Sequence, residues 1–267
     1  MLKETITSEI GESYVKAEHS SGLKIYILEK PQYNSCYAIF GTKYGSIDNC
    51  FTVDGEKTQV PEGIAHFLEH KLFESEDGDA FTKYAETGAY ANAFTSFDKT
   101  CYLFSCSDRF YDNLEILLNF VQSPYFTKET VQKEQGIIGQ EIEMNADSPD
   151  TAVFENLMGC MYQNHPISVP ILGTRASIAK ITPEILHKCH RAFYAPNNML
   201  LCVIGDVDPE SVCAIAREHL PAEKTEKTTR VDTWEEETKV EKHLVEANME
   251  VAMPIFQLGF KCSVEAR

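Results

Sequence analysis

The alternation of apolar and polar positions divides the chain into short β-like runs and longer stretches of helical period. Leu23 to Glu29 alternates and is rich in Ile and Tyr, and Cys36 to Ile47 is a second such run, so the chain is expected to open with paired strands. Residues 48–62 carry Asp, Asn, Gly and Pro and read as a loop, closing with the turn Pro61-Glu62-Gly63. Behind it, Ile64, Phe67, Leu68 and Leu72 form the apolar stripe of a helix. An acidic break at 74–79 precedes a short helix from Ala80 to Thr87, ended by Gly88. Residues 90–107 read as a strand pair turning near Ser96-Phe97-Asp98.

From there the period changes. Phe110, Leu114, Leu117, Leu118 and Val121 follow helical spacing, and Pro124 closes that helix. Thr127 is a good N-cap for a helix running to about Ala146, with Val131, Ile138 and Ile142 inward. Helices near 151–162, 182–193 and 208–219 flank one strongly apolar strand, Met199 to Ile204. Strand pairs followed by helix runs, in place of regular βαβ alternation, predict an α+β fold whose mixed sheet is largely antiparallel and packed with helices. Residues 222–242 are dominated by Glu, Lys and Thr and read as a charged linker, leaving 1–221 as the main domain. Residues 243–267 turn β-like again, and are expected to be either the first strand of a second, missing domain or an added strand of the first sheet.

Composition narrows the partners. A formal net charge of −17 makes nucleic acid and anionic lipid surfaces poor partners, whereas a cationic peptide would be attracted. The nine cysteines are odd in number, lack a Cys-x-x-Cys pair and sit in apolar stretches such as Leu201-Cys202-Val203, so they read as reduced, buried thiols. The N-terminus has no apolar signal core, and no run of apolar residues is long enough to span a bilayer. A soluble, cytoplasmic protein is the expectation.

The helix opened by Gly63 carries the chemistry. In His66-Phe67-Leu68-Glu69-His70 the two histidines stand four apart, about 40° around the helix axis, and project from one face with Glu69 beside them. Imidazole is a preferred zinc ligand, and a carboxylate next to the metal can take a proton from an attacking water. This H-x-x-E-H order is the inverzincin motif. A chain with eight histidines matches it by chance roughly 0.02 to 0.03 times, so the motif is suggestive and its rigid apolar helix strengthens it. A catalytic zinc normally takes three protein ligands and keeps one position for water. Glu134 and Glu141 lie seven apart on one face of the predicted 127–146 helix, amid Ile137, Ile138 and Ile142, and Glu143 is nearby; spacing alone does not choose among these acids.

At this point several ordered segments carry a resemblance. His66-Phe-Leu-Glu-His70, the stretch Asn92-Ala-Phe-Thr-Ser-Phe-Asp-Lys-Thr100 with Tyr102, and Glu134-Gln-Gly-Ile-Ile-Gly-Gln-Glu141 resemble the pitrilysin or insulinase family of zinc metallopeptidases. Gly173-Thr174, Phe193-Tyr-Ala-Pro-Asn-Asn-Met199 and Gly205-Asp206 continue the match, which spans roughly residues 20–220 and is nearest to bacterial insulinase-like proteins.

The resemblance implies that His66, His70 and Glu141 hold one zinc ion, that Glu69 is the general base, and that Glu134 assists catalysis from behind a ligand histidine. It also implies that Asn92, Ala93 and Phe94 belong to a strand on which an extended peptide substrate is laid. Family members pair the zinc-bearing half with a second, similar half, so this chain is expected to be an amino-terminal fragment or a subunit needing a separate partner. Two other readings stay open. One is a noncatalytic, peptide-binding subunit of the same fold; the other is a zinc-dependent hydrolase of non-peptide substrates.

Overall fold

A computed structural model describes residues 2–53, 55–76, 78–224, 229–230 and 234–262. The chain opens with β1 (Leu2–Thr7), β2 (Ser13–Glu18), β3 (Lys24–Glu29) and β4 (Cys36–Thr42), then the short β5 (Cys50–Val53) and β6 (Glu56–Gln59). Helix α1 (Ile64–Leu72) is followed by β7 (Glu74–Ser75), β8 (Gly78–Asp79), α2 (Ala80–Thr87), β9 (Tyr90–Thr95) and β10 (Thr100–Cys106). Five helices come next: α3 (Phe110–Gln122), α4 (Lys128–Ala146), α5 (Pro149–Met161), α6 (Arg175–Ile178) and α7 (Pro183–Phe193). The last elements are β11 (Met199–Gly205), α8 (Pro209–His219) and β12 (Thr229–Arg230).

Seven strands form the main sheet in the order β1-β2-β3-β11-β4-β10-β9. Every neighbouring pair is antiparallel except β3 with β11, which makes the expected largely antiparallel mixed sheet. One face is dry. Ile25, Ile27, Ala38, Phe40, Tyr102, Phe104, Leu201 and Val203 are all buried there, under α1, α3, α7 and α8. The expectation that the first two apolar runs pair with each other is corrected: β11 inserts between β3 and β4. β11 is the most continuously apolar strand of the chain, so the centre of the sheet, flanked on both sides, is where it loses the most water.

Helix limits follow the capping chemistry. Thr127 caps α4 through a reciprocal capping box with Thr130, and Ser148, Thr182 and Asp208 cap α5, α7 and α8 with the first residue of each helix a proline. Gly88 takes a left-handed conformation and ends α2. β1 and β2 were not foreseen, because β1 is an outer strand with mostly exposed, polar residues and carries little apolar alternation.

Within the charged stretch 222–242, described residues make specific contacts. Thr229 and Arg230 pair with Thr52 and Phe51 of β5. Glu236 accepts backbone N–H bonds from Gln163, Asn164 and His165 at 2.9, 2.8 and 2.8 Å, and the Lys261 ammonium donates to it at 2.7 Å. Residues 243–262 contain no strand and add none to the main sheet, and their Leu244, Met253, Phe256, Leu258 and Phe260 are exposed; 263–267 lie outside the described residues. The nine cysteines are free, but only Cys101, Cys106, Cys189 and Cys213 are buried, and Cys262 is exposed, so the expectation of uniformly buried thiols is corrected. Among the described residues no helix is long and apolar enough to cross a membrane.

His190 on α7 donates from Nε2 to the Val121 carbonyl at 2.9 Å and stacks on Tyr194. Burial pulls its pKa down from 6.5 to about 4, against the opposing effect of the Val121 hydrogen bond. Between these values the unfolded chain binds a proton that the folded chain refuses. Stability present above pH 6.5 is therefore lost as pH falls toward about 4, by an amount on the order of 2 kcal/mol after allowing for partial exposure. Thermal melts of chelator-treated protein should show Tm falling across this window, with a smaller fall in His190→Gln. A Tm that stays level or rises on acidification would contradict the assignment.

Candidate metal centre

α1 is a core helix with polar residues on one face. Ile64, Phe67, Leu68 and Leu72 are buried to 3% exposure or less, while His66 and Glu69 on the same helix are only 7% exposed. Its start is fixed by a close backbone crossing. Gly63, at φ 86°, precedes the helix, and a Cβ there would lie 2.3 Å from the Leu172 carbonyl oxygen. Gly173, at φ 69°, answers it, since a Cβ there would meet the Glu62 carbonyl oxygen at 2.6 Å. Neither position can accept a side chain without moving the opposite strand of backbone. Beyond the site, the buried Lys71 ammonium pairs with Glu74.

α4 approaches from the other side and is held along its length by the segment of α6. Gln135 Nε2 donates to the carbonyls of Ile178 and Ile181, each at 3.2 Å. Arg175 lies against Gly139, where an added Cβ would sit 2.5 Å from its guanidinium, and donates from Nε to Glu143 at 2.9 Å. Glu143 is thereby occupied away from the site. Val131 and Ile138 are buried, but Ile137 is 43% exposed, so the expected inward cluster of three isoleucines reduces to Ile138 and a half-buried Ile142.

Glu134 and Glu141 both face α1, and they meet different atoms. Glu141 Oε1 is 3.6 Å from His66 Nε2, and its Oε2 is 3.6 Å from His70 Nε2. Glu134 Oε1 lies 3.0 Å from His70 Nδ1, the opposite ring nitrogen. One ligand atom from each of His66, His70 and Glu141 falls within a 4.8 Å group, the only such cluster among the described residues. The 3.6 Å separations are too long for hydrogen bonds, whereas donors sharing one tetrahedral zinc lie roughly 3.3 Å apart, given bonds near 2.0–2.1 Å. Two imidazole nitrogens and a carboxylate are also a zinc donor set. The residues present fit the ion.

Electrostatics agree with that use. Burial, with the neighbouring His70 charge, pulls His66 down to about 3, so its ring is neutral at pH 7 and its lone pair is available. His66 Nδ1 is buried without a partner among the described residues, leaving Nε2 as the atom turned toward Glu141. For His70, burial acts downward, but the Glu134 hydrogen bond and the charges of Glu134, Glu69 and Glu141 outweigh it and raise the pKa. A carboxylate on Nδ1 keeps that nitrogen protonated and directs Nε2 to the cluster. Burial raises Glu69, opposed by a hydrogen bond from Thr95.

Asn92, Ala93 and Phe94 lie on β9, which pairs with β10 and among the described residues has no neighbour on its other side, so it is the sheet edge nearest α1. Asn92 and Phe94 are exposed, and the Asn92 side-chain oxygen accepts from Ala93 N at 2.9 Å. Sequence reasoning gave no role to Thr95, and it placed Gly63 at the helix start and Gly173 in a motif without showing that the two cross. Thr95 stood inside a quoted motif, but only the folded register shows what its hydroxyl touches.

Residues 56–175 match the family model for insulinase, peptidase family M16, and residues 180–263 match the model for the M16 peptidase inactive domain. The chain belongs to the insulinase family, M16. It is 45% identical over 266 residues to YmfH of Bacillus subtilis, an uncharacterized zinc protease, covering 99% of this chain and 61% of that one. It is 30% identical over 206 residues to the uncharacterized zinc protease ML0855 of Mycobacterium leprae, covering 74% of this chain and 44% of that one. A crystal structure of an M16-like peptidase from Alicyclobacillus acidocaldarius superposes with a TM-score of 0.82 at 36% identity, over 91% of this chain and 56% of the other. This M16 chain therefore spans about half to three fifths of the length of these relatives. The two family models meet at α6, yet β11, beyond that junction, is central to the sheet that carries β9 and β10.

Replacing Glu134 by Ala should weaken zinc binding about 10- to 100-fold by freeing the His70 tautomer and ring orientation. Competition with a chromophoric chelator measures this. Unchanged affinity would mean that the 3.0 Å contact with His70 does not tune the centre.

Proposed function

We propose that this chain is the metal-bearing part of a zinc endopeptidase that hydrolyses extended or unfolded peptides. The observation that carries the reading is the Glu69 carboxylate, 7% exposed, on the same helical turn as two histidines that meet Glu141, and beside the edge of β9 that is unpaired among the described residues. The names of the relatives, both zinc proteases, support it.

His66, His70 and Glu141 would hold the ion. When bound, zinc supplies Lewis acidity, bringing the pKa of a water toward about 7 and polarising a carbonyl. Glu69 accepts the proton of the attacking water and returns it to the amine that leaves, so one carboxylate serves as base and then as acid. Glu134 holds Nδ1–H of His70 and keeps its ring aimed. A peptide laid along β9 satisfies its backbone by adding a strand, with Asn92 to Phe94 opposite it, which selects extended chains over folded ones. The net charge of −17 favours cationic peptides at long range. A second, similar half, as in the family, would close the site over the bound chain. Nine free cysteines suit a reducing compartment, and we assign the protein to the cytoplasm on that ground.

Glu69→Gln keeps the shape of the site and removes the proton acceptor. It should retain one zinc per chain while peptide turnover falls about 10²- to 10⁴-fold. Metal analysis and a peptide-library digest, run on full-length protein with any second half supplied, test this together. Parental turnover in Glu69→Gln would overturn the role of the carboxylate, and zinc binding without any cleavage would point to a peptide-binding subunit.

A further inference from the structure

Thr95 is the last residue of β9 and alternates inward, whereas Asn92 and Phe94 point outward. Its hydroxyl lies 2.5 Å from Glu69 Oε2 and donates to it. Thr100, directly opposite Thr95 in the ladder, is fully buried and donates its own hydroxyl hydrogen to the Tyr44 carbonyl at 2.9 Å. The two threonine oxygens stand 3.4 Å apart. A hydroxyl has one hydrogen, and that of Thr100 is committed to a carbonyl, so the hydrogen of Thr95 goes to the carboxylate. Among the described residues Glu69 Oε1 has no hydrogen-bond donor.

We propose that Thr95 is a positioning residue which grips Glu69 by Oε2, leaves Oε1 as the oxygen presented to the attacking water, and ties the carboxylate to the strand that receives the peptide. This rests on the zinc peptidase reading and adds a device to it. A glutamate has three side-chain torsions, and a base that must meet a water within hydrogen-bond reach loses rate when its aim is free. The tether also sets a register. A peptide added to β9 steps along it by roughly 3.4 Å per residue, so a base anchored to β9 itself keeps its distance from the bound carbonyl when the strand shifts.

The anchoring hydroxyl is tested with Thr95→Val, which keeps the shape and removes the donor, and Thr95→Ser, which restores it. In the full-length zinc-loaded protein, Thr95→Val should lower kcat about tenfold or more with KM little changed. Zinc stoichiometry and Tm should stay at the parental level, and Thr95→Ser should recover most of kcat. Crystal structures of the zinc-loaded parent and both variants give a readout independent of turnover: the Glu69 carboxylate should leave its rotamer in Thr95→Val and keep it in Thr95→Ser. Parental kcat in Thr95→Val, or an unmoved Glu69 in that variant, would overturn the proposal. If the parent itself cleaves no peptide, the peptidase reading fails, and the Glu69 rotamers still decide the role of Thr95.

Discussion

The structure depends on a helix that is buried almost all round and yet carries polar groups. α1 packs Ile64, Phe67, Leu68 and Leu72 into the core, and this places His66, Glu69 and Lys71 in surroundings with little water. Desolvated polar side chains are costly unless each meets a partner, so the surrounding elements are arranged to supply them. Lys71 finds Glu74, Glu69 finds Thr95, and His70 finds Glu134. His66 is the exception on this helix: among the described residues its Nδ1 has no partner, and its Nε2 faces Glu141 across a gap suited to a shared ion.

Two further features make that arrangement rigid. The crossing of Gly63 and Gly173 locks the start of α1 to the segment that leads into α6, and α6 in turn grips α4 through Gln135 and Arg175. α1 and α4, whose cluster residues are 71 positions apart between His70 and Glu141, are thus registered to each other by a third element and not only by their own contact. On the opposite flank, β9 is fixed to β10 along its length and presents its outer edge beside Glu69. A group of residues that could hold a metal, a desolvated carboxylate and a strand edge left open among the described residues thus meet where the helices pack on the sheet.

The legible part of the fold was the part with local causes. The extent of α3 follows from its apolar period and that of α4 from its period and the cap at Thr127, while Thr182 and Asp208 cap α7 and α8 in the same way. β9 and β10 were readable because both alternate around a short polar turn. β1 was not, since an outer strand with a polar face resembles a loop in sequence. Nor was the place of β11, because strand order is set by which apolar strand gains most from the sheet centre, a comparison across the whole chain. The contacts of Glu236 were hidden for a similar reason: in sequence it looks like any solvated acid, and only the fold brings three backbone N–H groups and Lys261 to it.

Sequence alone determined the donors on α1, because His66, Glu69 and His70 share a face by helical geometry, and it narrowed the third acid to a few positions on α4. It also supplied the family, through ordered motifs that local spacing preserves. Spacing alone left these acids open, and only the tertiary structure shows what each of them meets. Glu134, Glu141 and Glu143 are chemically alike in the sequence, but helix packing puts them against Nδ1 of His70, the two Nε2 atoms and Arg175, respectively. The role of Thr95 was hidden for the same reason, since a hydroxyl acts through distances of a few ångströms that no spacing along one chain encodes.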